Sequence, residues 1–397
     1  MIIPRPHTFF RHAALILACG GFAASACADQ DIKIGALMAF SGPATSWGVS
    51  IAGAAELAAE EVNASGGLEV GGKKHKVSIV RYDDKFKAND AVTGMNRLVY
   101  EDKARFVITL ASASQLAIAG LATENKVLSF THGFSSKVLD PSSPYAFRIS
   151  IPADEFAPPQ AAWLATRLNA KKIGVLVAND EGGQQNALDL AKAYSGSGGT
   201  IAKELFERDR TDFAPLITRL LQQKIDALDL GANSPTTAGL MIKQARELGF
   251  KGPIIRTGGE ATADIVTVAG KTAAEGLYVH LPTNFQDAQV SAYQKRFESK
   301  YKIPMSATSV ATYAAVKLLF SAIQKAGSAE DIPKITAALE GQRNAPSILG
   351  QVNWKTSKDS AGKPYGTSHQ MSSPFYVGQV RNGQLQIVAS CDATLCK

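Results

Sequence analysis

Residues 32–63 read IKIGALMAFSGPATSWGVSIAGAAELAAEEVN. An apolar run, IKIGALMAF, opens the stretch; a turn of small residues, SGPATSWG at 41–48, interrupts it; an Ala-rich segment, VSIAGAAELAAEEVN, closes it. Strand, tight turn and helix make the βα unit of parallel sheets, and the free N–H groups at such a helix start form a ready anion site. A phosphate loop needs GxxxxGK[ST], and no Lys follows Gly48. A dinucleotide turn needs GxGxxG, which is also absent here. A purely structural turn is the remaining alternative at this point.

The same unit recurs along the chain. Strand-like runs are KVSIVRYD, ARFVITL, KVLSF, KKIGVLVAN, IDALDL, GPIIRTG and EGLYVHLP, and helical patterns such as DAVTGMNRLVYED, DFAPLITRLLQQK, AGLMIKQARELG and VSAYQKRFESKY separate them. Near-continuous apolar strands are what burial on both faces demands, so the pattern predicts parallel sheets covered by helices. Two interruptions stand out: DPSSPYAFRISIPADEFAPP around 140–160, with five prolines, and VHLPTNFQDA around 279–288. Both read as crossings between two Rossmann-like α/β lobes. The expected division is 29–149 plus 281–372 for one lobe and 150–280 plus 373–397 for the other, joined by a multi-strand hinge. PFYVGQV-RNG-QLQIVAS reads as a hairpin by its Asn-Gly turn. Ligands of open parallel sheets bind at the carboxyl ends of the strands, so the site is expected in the cleft between the lobes.

Residues 1–28, MIIPRPHTFFRHAALILACGGFAASACA, read as a signal peptide: Arg5 and Arg11, a short apolar core, then Ala26-Cys27-Ala28. An exported, periplasmic protein is the expectation, with acylation of Cys27 as the alternative. Removal of 28 residues leaves 369 of 397 and takes away two Arg and no acid, so the net charge falls from +7 to +5. No Lys/Arg run suggests nucleic acid. Cys391 and Cys396 are the two remaining cysteines, and an oxidising compartment predicts a structural disulfide between them. Six His, at 7, 12, 75, 132, 280 and 369, show no metal spacing, and no GxSxG elbow is present. Asp83 and Asp84 are adjacent on a strand and point to opposite faces, a poor arrangement for joint acid–base work. No enzymatic activity, metal or cofactor is expected.

Several phrases in order resemble the solute-binding proteins of ABC importers, in particular the leucine/isoleucine/valine-binding family with type I periplasmic binding protein topology. They are IKIGALMAFSGPATSWG, EEVNASGGLEVGGKKHKVSIVRYDD, ARFVITLASAS, TRLLQQKIDALDLGANS, and MIKQARELGF followed by AAEGLYV, covering most of residues 31–355. The resemblance implies a monomer that closes around a small carboxylate-bearing ligand, most directly an amino acid, and delivers it to ABC permease and ATPase subunits.

The resemblance also implies a site. Trp47 takes the place of an aromatic that covers the ligand side chain. The strand end TLASASQ at 109–115 corresponds to the family's carboxylate-binding element, with Ser112, the Ala113 N–H and Ser114 as donors. Helix capping is an ordinary reading of Ser112 that is compatible with this one. THGFSSKVL at 131–139 matches a second loop, with the Ser135 hydroxyl and a carbonyl of Gly133 or Phe134; His132 sits among them. In the second lobe Glu260 corresponds to an acidic residue that pairs with a ligand ammonium, Gly259 being the neighbouring register. Asn233 is a further candidate.

Two departures weaken the amino-acid inference. Relatives often carry an aromatic followed by Gly after the strand matching KKIGVLVAND, where this chain has NDEGGQQN, and Gly183 is read as standing at the aromatic's place. Phe86 and Ala111 occupy the places of the two Cys of the leucine-binding type. An aromatic or keto carboxylic acid is therefore the alternative ligand. A ligand-sensing module feeding a separate receptor is the alternative role.

Overall fold

The computed structural model describes residues 1–3, 31–258, 260–358, 362–364 and 366–397. All but three residues of the expected signal peptide, and the Gly259 register, lie outside the described residues. Among those described, no helix is long and apolar enough to cross a membrane.

Seventeen strands are described. They are β1 (Ile32–Met38), β2 (Leu68–Val70), β3 (Lys73–His75), β4 (Val77–Asp83), β5 (Phe106–Thr109), β6 (Leu128–Thr131) and β7 (Ala146–Arg148). Next come β8 (Lys172–Ala178), β9 (Thr200–Phe206), β10 (Ala227–Asp229), β11 (Ile254–Arg256) and β12 (Tyr278–Leu281). The last are β13 (Ala345–Ser347), β14 (Gly350–Lys355), β15 (Gln370–Ser372), β16 (Phe375–Arg381) and β17 (Gln384–Cys391). Apart from the small β2–β3 hairpin, these form two sheets. The first runs β13-β14-β15-β7-β6-β5-β1-β4 and the second β17-β16-β12-β11-β10-β8-β9. The first holds six parallel strands, β15-β7-β6-β5-β1-β4, and the second five, β12-β11-β10-β8-β9, each with antiparallel additions at one edge. The fold is the doubly wound α/β architecture that the alternation predicts.

The chain passes from the first sheet to the second after β7, returns after β12, and passes again between β15 and β16. The Asn382-Gly383 turn of the last hairpin has φ of 53° and 71°, the pair of left-handed residues that a tight two-residue turn needs. Cys391 and Cys396 are joined by a disulfide that ties the C-terminal tail to β17.

Small residues set the packing of the first lobe. Helix Thr45–Ala64 buries Ala52, Ala55, Ala58 and Ala59 in one core with Ala311, Ala315, Leu318, Leu319 and Ala322 of helix Ala307–Ala326. Gly48 has a stricter reason to be Gly. A Cβ there meets the Ala39 carbonyl oxygen at 1.9 Å, so only Gly lets the helix start fold back against the end of β1. The second lobe repeats the device: a Cβ at Gly183 meets the Ala178 carbonyl oxygen, at the end of β8, at 2.1 Å.

Candidate functional site

Strand order locates the site before any side chain is considered. In the first sheet the winding reverses between β1 and β5, and in the second between β8 and β10. A crevice opens outside the carboxyl ends of the strands at such a reversal. The two crevices face each other across one cavity, lined from the first lobe by Trp47, Phe86, Ser112, His132 and Phe134 and from the second by Gly182, Asn186, Arg208 and Asn233. Gly182, on helix Glu181–Gly196, is near enough to Ser112 that a Cβ there would stand 3.4 Å from the Ser112 Oγ.

Of the residues expected from sequence, Trp47, Ser112, Gly133, Phe134 and Asn233 line this cavity. Trp47 is buried, its indole N–H donates to the Glu260 backbone carbonyl, and the Arg256 guanidinium lies 5.5 Å from its ring centroid. Ser112 opens helix Ser112–Glu124, which no side chain caps, and its Oγ accepts from the Ser135 N–H at 3.1 Å. Asn233 lines the wall, but its amide donates to the Leu176 and Leu230 carbonyls at 2.8 and 2.7 Å, so those donors hold the loop after β10.

Four expected residues are not among the cavity-lining ones, and each has a physical reason. Ala113 lies beyond the first helical residue. The Ser114 hydroxyl donates to Asp84 at 2.6 Å, and Asp84 in turn accepts from the Phe86 N–H at 2.8 Å, which sets Phe86 on the cavity. Burial pushes the Asp84 carboxyl above its ordinary range. The Ser135 hydroxyl donates to Glu181 of the opposite lobe at 3.0 Å, and Lys137 pairs with the same carboxylate at 3.1 Å. These contacts form a latch between the lobes. Glu260 accepts from the Thr262 N–H at 2.7 Å and from the Ala307 N–H, so a second-lobe carboxylate caps the first-lobe helix Ala307–Ala326. Burial raises its pKa against those bonds and the Arg256 charge. Arg256 is itself pushed down to about 10 by burial. Glu260 thus faces a helix end and not the cavity.

The two glycines at the start of helix Glu181–Gly196 differ in the room around them. Gly183 has no room for any side chain, whereas a side chain at Gly182 would enter the cavity beside Ser112.

Phe86, Asn186, Arg208 and Thr308 line the cavity without having been singled out as site residues. Arg208 follows the carboxyl end of β9, lies 4.2 Å from the centroid of the Phe86 ring and pairs with Asp180, the residue that caps helix Glu181–Gly196. Strand-end position was the one available signal for it. Beside the cavity, a groove at the lobe boundary is lined by Ser41, Gly42, Pro43, Ala44, Lys85, Lys87, Arg208 and Asp209. No acidic side chain lines the cavity itself among the described residues, and no cluster of metal-ligating groups occurs among them.

The sequence profile described as periplasmic binding protein matches residues 31–384. The Leu/Ile/Val-binding protein BraC3 of Rhizobium johnstonii is 28% identical over 346 residues, covering 85% of this chain and 91% of that one. The structure of the leucine binding protein LivK from Thermotoga maritima is similar with a TM-score of 0.78 at 23% identity, covering 91% of this chain and 99% of that one. A solute binding protein of an R. palustris ABC transporter, solved in complex with benzoate, has a TM-score of 0.76 at 20% identity, covering 92% and 97%. With two facing α/β lobes, a cavity at their paired crevices and a family profile spanning nearly all of the described chain, the protein belongs to the periplasmic binding protein family.

Proposed function

We propose that this protein is the exported solute receptor of an ABC import system, that it closes around a small carboxylate, and that the carboxylate has an aromatic body. The observation that carries the ligand reading is the composition of the cavity wall. The helix start at Ser112, which no side chain caps, meets there with Trp47, Phe86 and Phe134, and none of the lining residues is acidic, while the facing helix start at Glu181 is already capped by the Asp180 carboxylate. Helix N-termini favour an anion. Three aromatic faces favour an apolar, ring-bearing body. A ligand ammonium needs a counter-charge once desolvated, and the Glu260 carboxylate is held by the Ala307 and Thr262 N–H groups.

In this reading the Ser112 hydroxyl, oriented by the Ser135 N–H, donates to the ligand carboxylate beside the Ala113 and Ser114 N–H groups. Trp47, Phe86 and Phe134 form the walls. Lys85, Lys87 and Arg208 at the boundary groove raise the local concentration of anions. The Glu181 contacts to Ser135 and Lys137 close the lobes, and the closed form docks on the permease, which its associated ATPase drives. The leader at 1–28 supplies export.

A second reading, an aliphatic amino acid, is favoured by the Leu/Ile/Val-binding relative. A thermal-shift panel on refolded, ligand-stripped protein separates the two. It pairs each amino acid with its desamino or keto analogue and adds benzoate and its derivatives. Ligand at about 100 times Kd adds roughly 2.7 kcal/mol to stability. The expected result is a shift with aromatic carboxylates and none with amino acids. Shifts confined to amino acids, absent with their desamino partners, would overturn the aromatic reading and keep the receptor role.

A further inference from the structure

Asn233 and Arg208, polar side chains that the second lobe brings to the cavity, already have partners. The Asn233 amide is spent on the Leu176 and Leu230 carbonyls, and Arg208 pairs with Asp180. Asn186 is different. It lines the cavity, is fully buried, and its Nδ2 has no hydrogen-bond partner. An unpaired buried donor carries the full cost of desolvation and is rare in native proteins.

The surroundings fix how this amide sits. Its Oδ1 accepts from the Ala232 N–H at 3.1 Å, and only the oxygen can meet an N–H, so the arm without a partner is the donor. The loop after β10 is shaped to that contact: a Cβ at Gly231, whose φ is +55°, would stand 2.5 Å from the Oδ1. Asn186 lies four residues after Gly182 on helix Glu181–Gly196, hence on the same face. Helical side chains lean toward the N-terminus of their helix. The amide therefore leans toward the helix start, where a Cβ at Gly182 would be 3.4 Å from the Ser112 Oγ. With Gly at 182, no side chain at that position stands between the amide and the carboxylate site at Ser112.

We propose that Asn186 is the second lobe's contact to the ligand carboxylate: its Nδ2–H donates to one carboxylate oxygen while the Ser112 hydroxyl donates to the other. The carboxylate then bridges the lobes, and closure becomes conditional on it. Open, the donor meets water. Closed and empty, it is dry and unpaired; closed on a carboxylate, it is paired. An unmet buried donor biases a closed–open equilibrium by roughly 5- to 150-fold, so the empty receptor is held back from closing and the loaded one is not. The inference rests on the proposed carboxylate site and deepens it, whether or not the ligand body is aromatic.

Calorimetric titration of the ligand-stripped mature chain with benzoate and with leucine tests it in wild type, Asn186→Asp and Asn186→Leu. Asn186→Asp keeps an oxygen for the Ala232 N–H and replaces the donor with a charge of the ligand's own sign. At about pH 7.5 it is expected to lose at least about 100-fold in affinity for whichever acid wild type binds. Burial raises a carboxyl pKa and the protonated form donates again. The loss is therefore expected to shrink as pH falls to about 5.5, with no such recovery in wild type. Asp180, Glu181, Asp189 and Arg208, on or beside the same helix, are common to both proteins, so the difference between the two profiles isolates position 186. Asn186→Leu is expected to lose about tenfold, because a ligand oxygen goes unpaired, and it carries the test should the Asp variant fail to fold. Without ligand, Asn186→Leu is also expected to be more compact than wild type in small-angle X-ray scattering. Unchanged affinity in either folded variant, or a loss in Asn186→Asp that lower pH does not relieve, overturns the inference and leaves Ser112 as the carboxylate site. An empty Asn186→Leu no more compact than wild type overturns the part of Asn186 in closure. Binding of neither acid by wild type overturns the carboxylate reading, and this inference with it.

Discussion

Gly182 and Gly183 stand side by side and do different things. Gly183 has the Ala178 carbonyl oxygen 2.1 Å from where a Cβ would sit, a distance no side chain tolerates. Gly183→Ala is therefore expected to destabilise the second lobe by about 1–3 kcal/mol, the usual range for overpacking, measured by chemical unfolding. Gly182 has ordinary van der Waals room toward Ser112. Gly182→Tyr is expected to fold normally and to weaken an aromatic carboxylate at least tenfold by filling its space, a scale that corresponds to about 1.4 kcal/mol or more. Unchanged affinity in that variant would place the ligand elsewhere. The sequence alone could not separate the two glycines, because the distinction lies in which one approaches a carbonyl across the strand end. The same limit applied to Ser114 and Glu260. Their partners, Asp84 and Ala307, are 30 and 47 positions away, and no local pattern announces such contacts. Ser112 and Phe134 were easier to place because each comes three residues after an apolar strand, and Trp47 because it lies in the first turn of the helix that follows one, where position along the chain already implies position in the cleft.

At the level of elements, the clearest surprise is the end of helix Ala307–Ala326. Its N-cap residue, Ser306, makes no capping side-chain bond, and a carboxylate from the other lobe takes the Ala307 N–H instead. Glu260 thereby couples a helix end to lobe closure. Glu260→Gln keeps the shape and removes the charge, so it is expected to cost about 0.5–2 kcal/mol of stability in the closed form. Its effect on affinity should be the same for an amino acid and for its desamino analogue, measured by titration. A loss confined to the amino acid would return Glu260 to the role of ammonium partner. The βα alternation and the Asn382-Gly383 hairpin were legible because periodicity and turn chemistry are local. The edge additions β13 to β15 were not, since these strands are short and β13 and β14 are partly exposed, and their place comes from a chain of pairings in which only β15 reaches β7.

For the molecule as a whole, burial of imidazoles ties stability to pH. His280, on the last parallel strand of the second sheet, stacks on Phe156 at 4.0 Å and is pushed down to about 3 by burial, with the Arg256 charge adding to the shift. An unfolded imidazole takes its proton near 6.5 and the folded one only near 3. Between those values the unfolded state holds more protons, so this contribution to stability is complete above pH 6.5 and lost as pH falls toward 3. His280→Phe is expected to make the stability profile shallower across that window by about 1.4 kcal/mol per pH unit, read from urea unfolding at each pH. Asp189, raised to about 6 mainly by burial, acts in the opposite direction between pH 6 and its ordinary value. It is present in both proteins, so the difference between the two profiles isolates the histidine.

Carboxylate capture between the lobes is tested most directly by titrating benzoate and leucine into ligand-stripped wild-type protein and into Ser112→Ala. Benzoate is expected to bind wild type, leucine to bind far more weakly or not at all, and Ser112→Ala to lose roughly 10- to 100-fold in benzoate affinity, the range of a buried hydrogen bond to a charged group. Binding of neither acid, or benzoate binding that is indifferent to Ser112, would contradict a carboxylate held at that helix start.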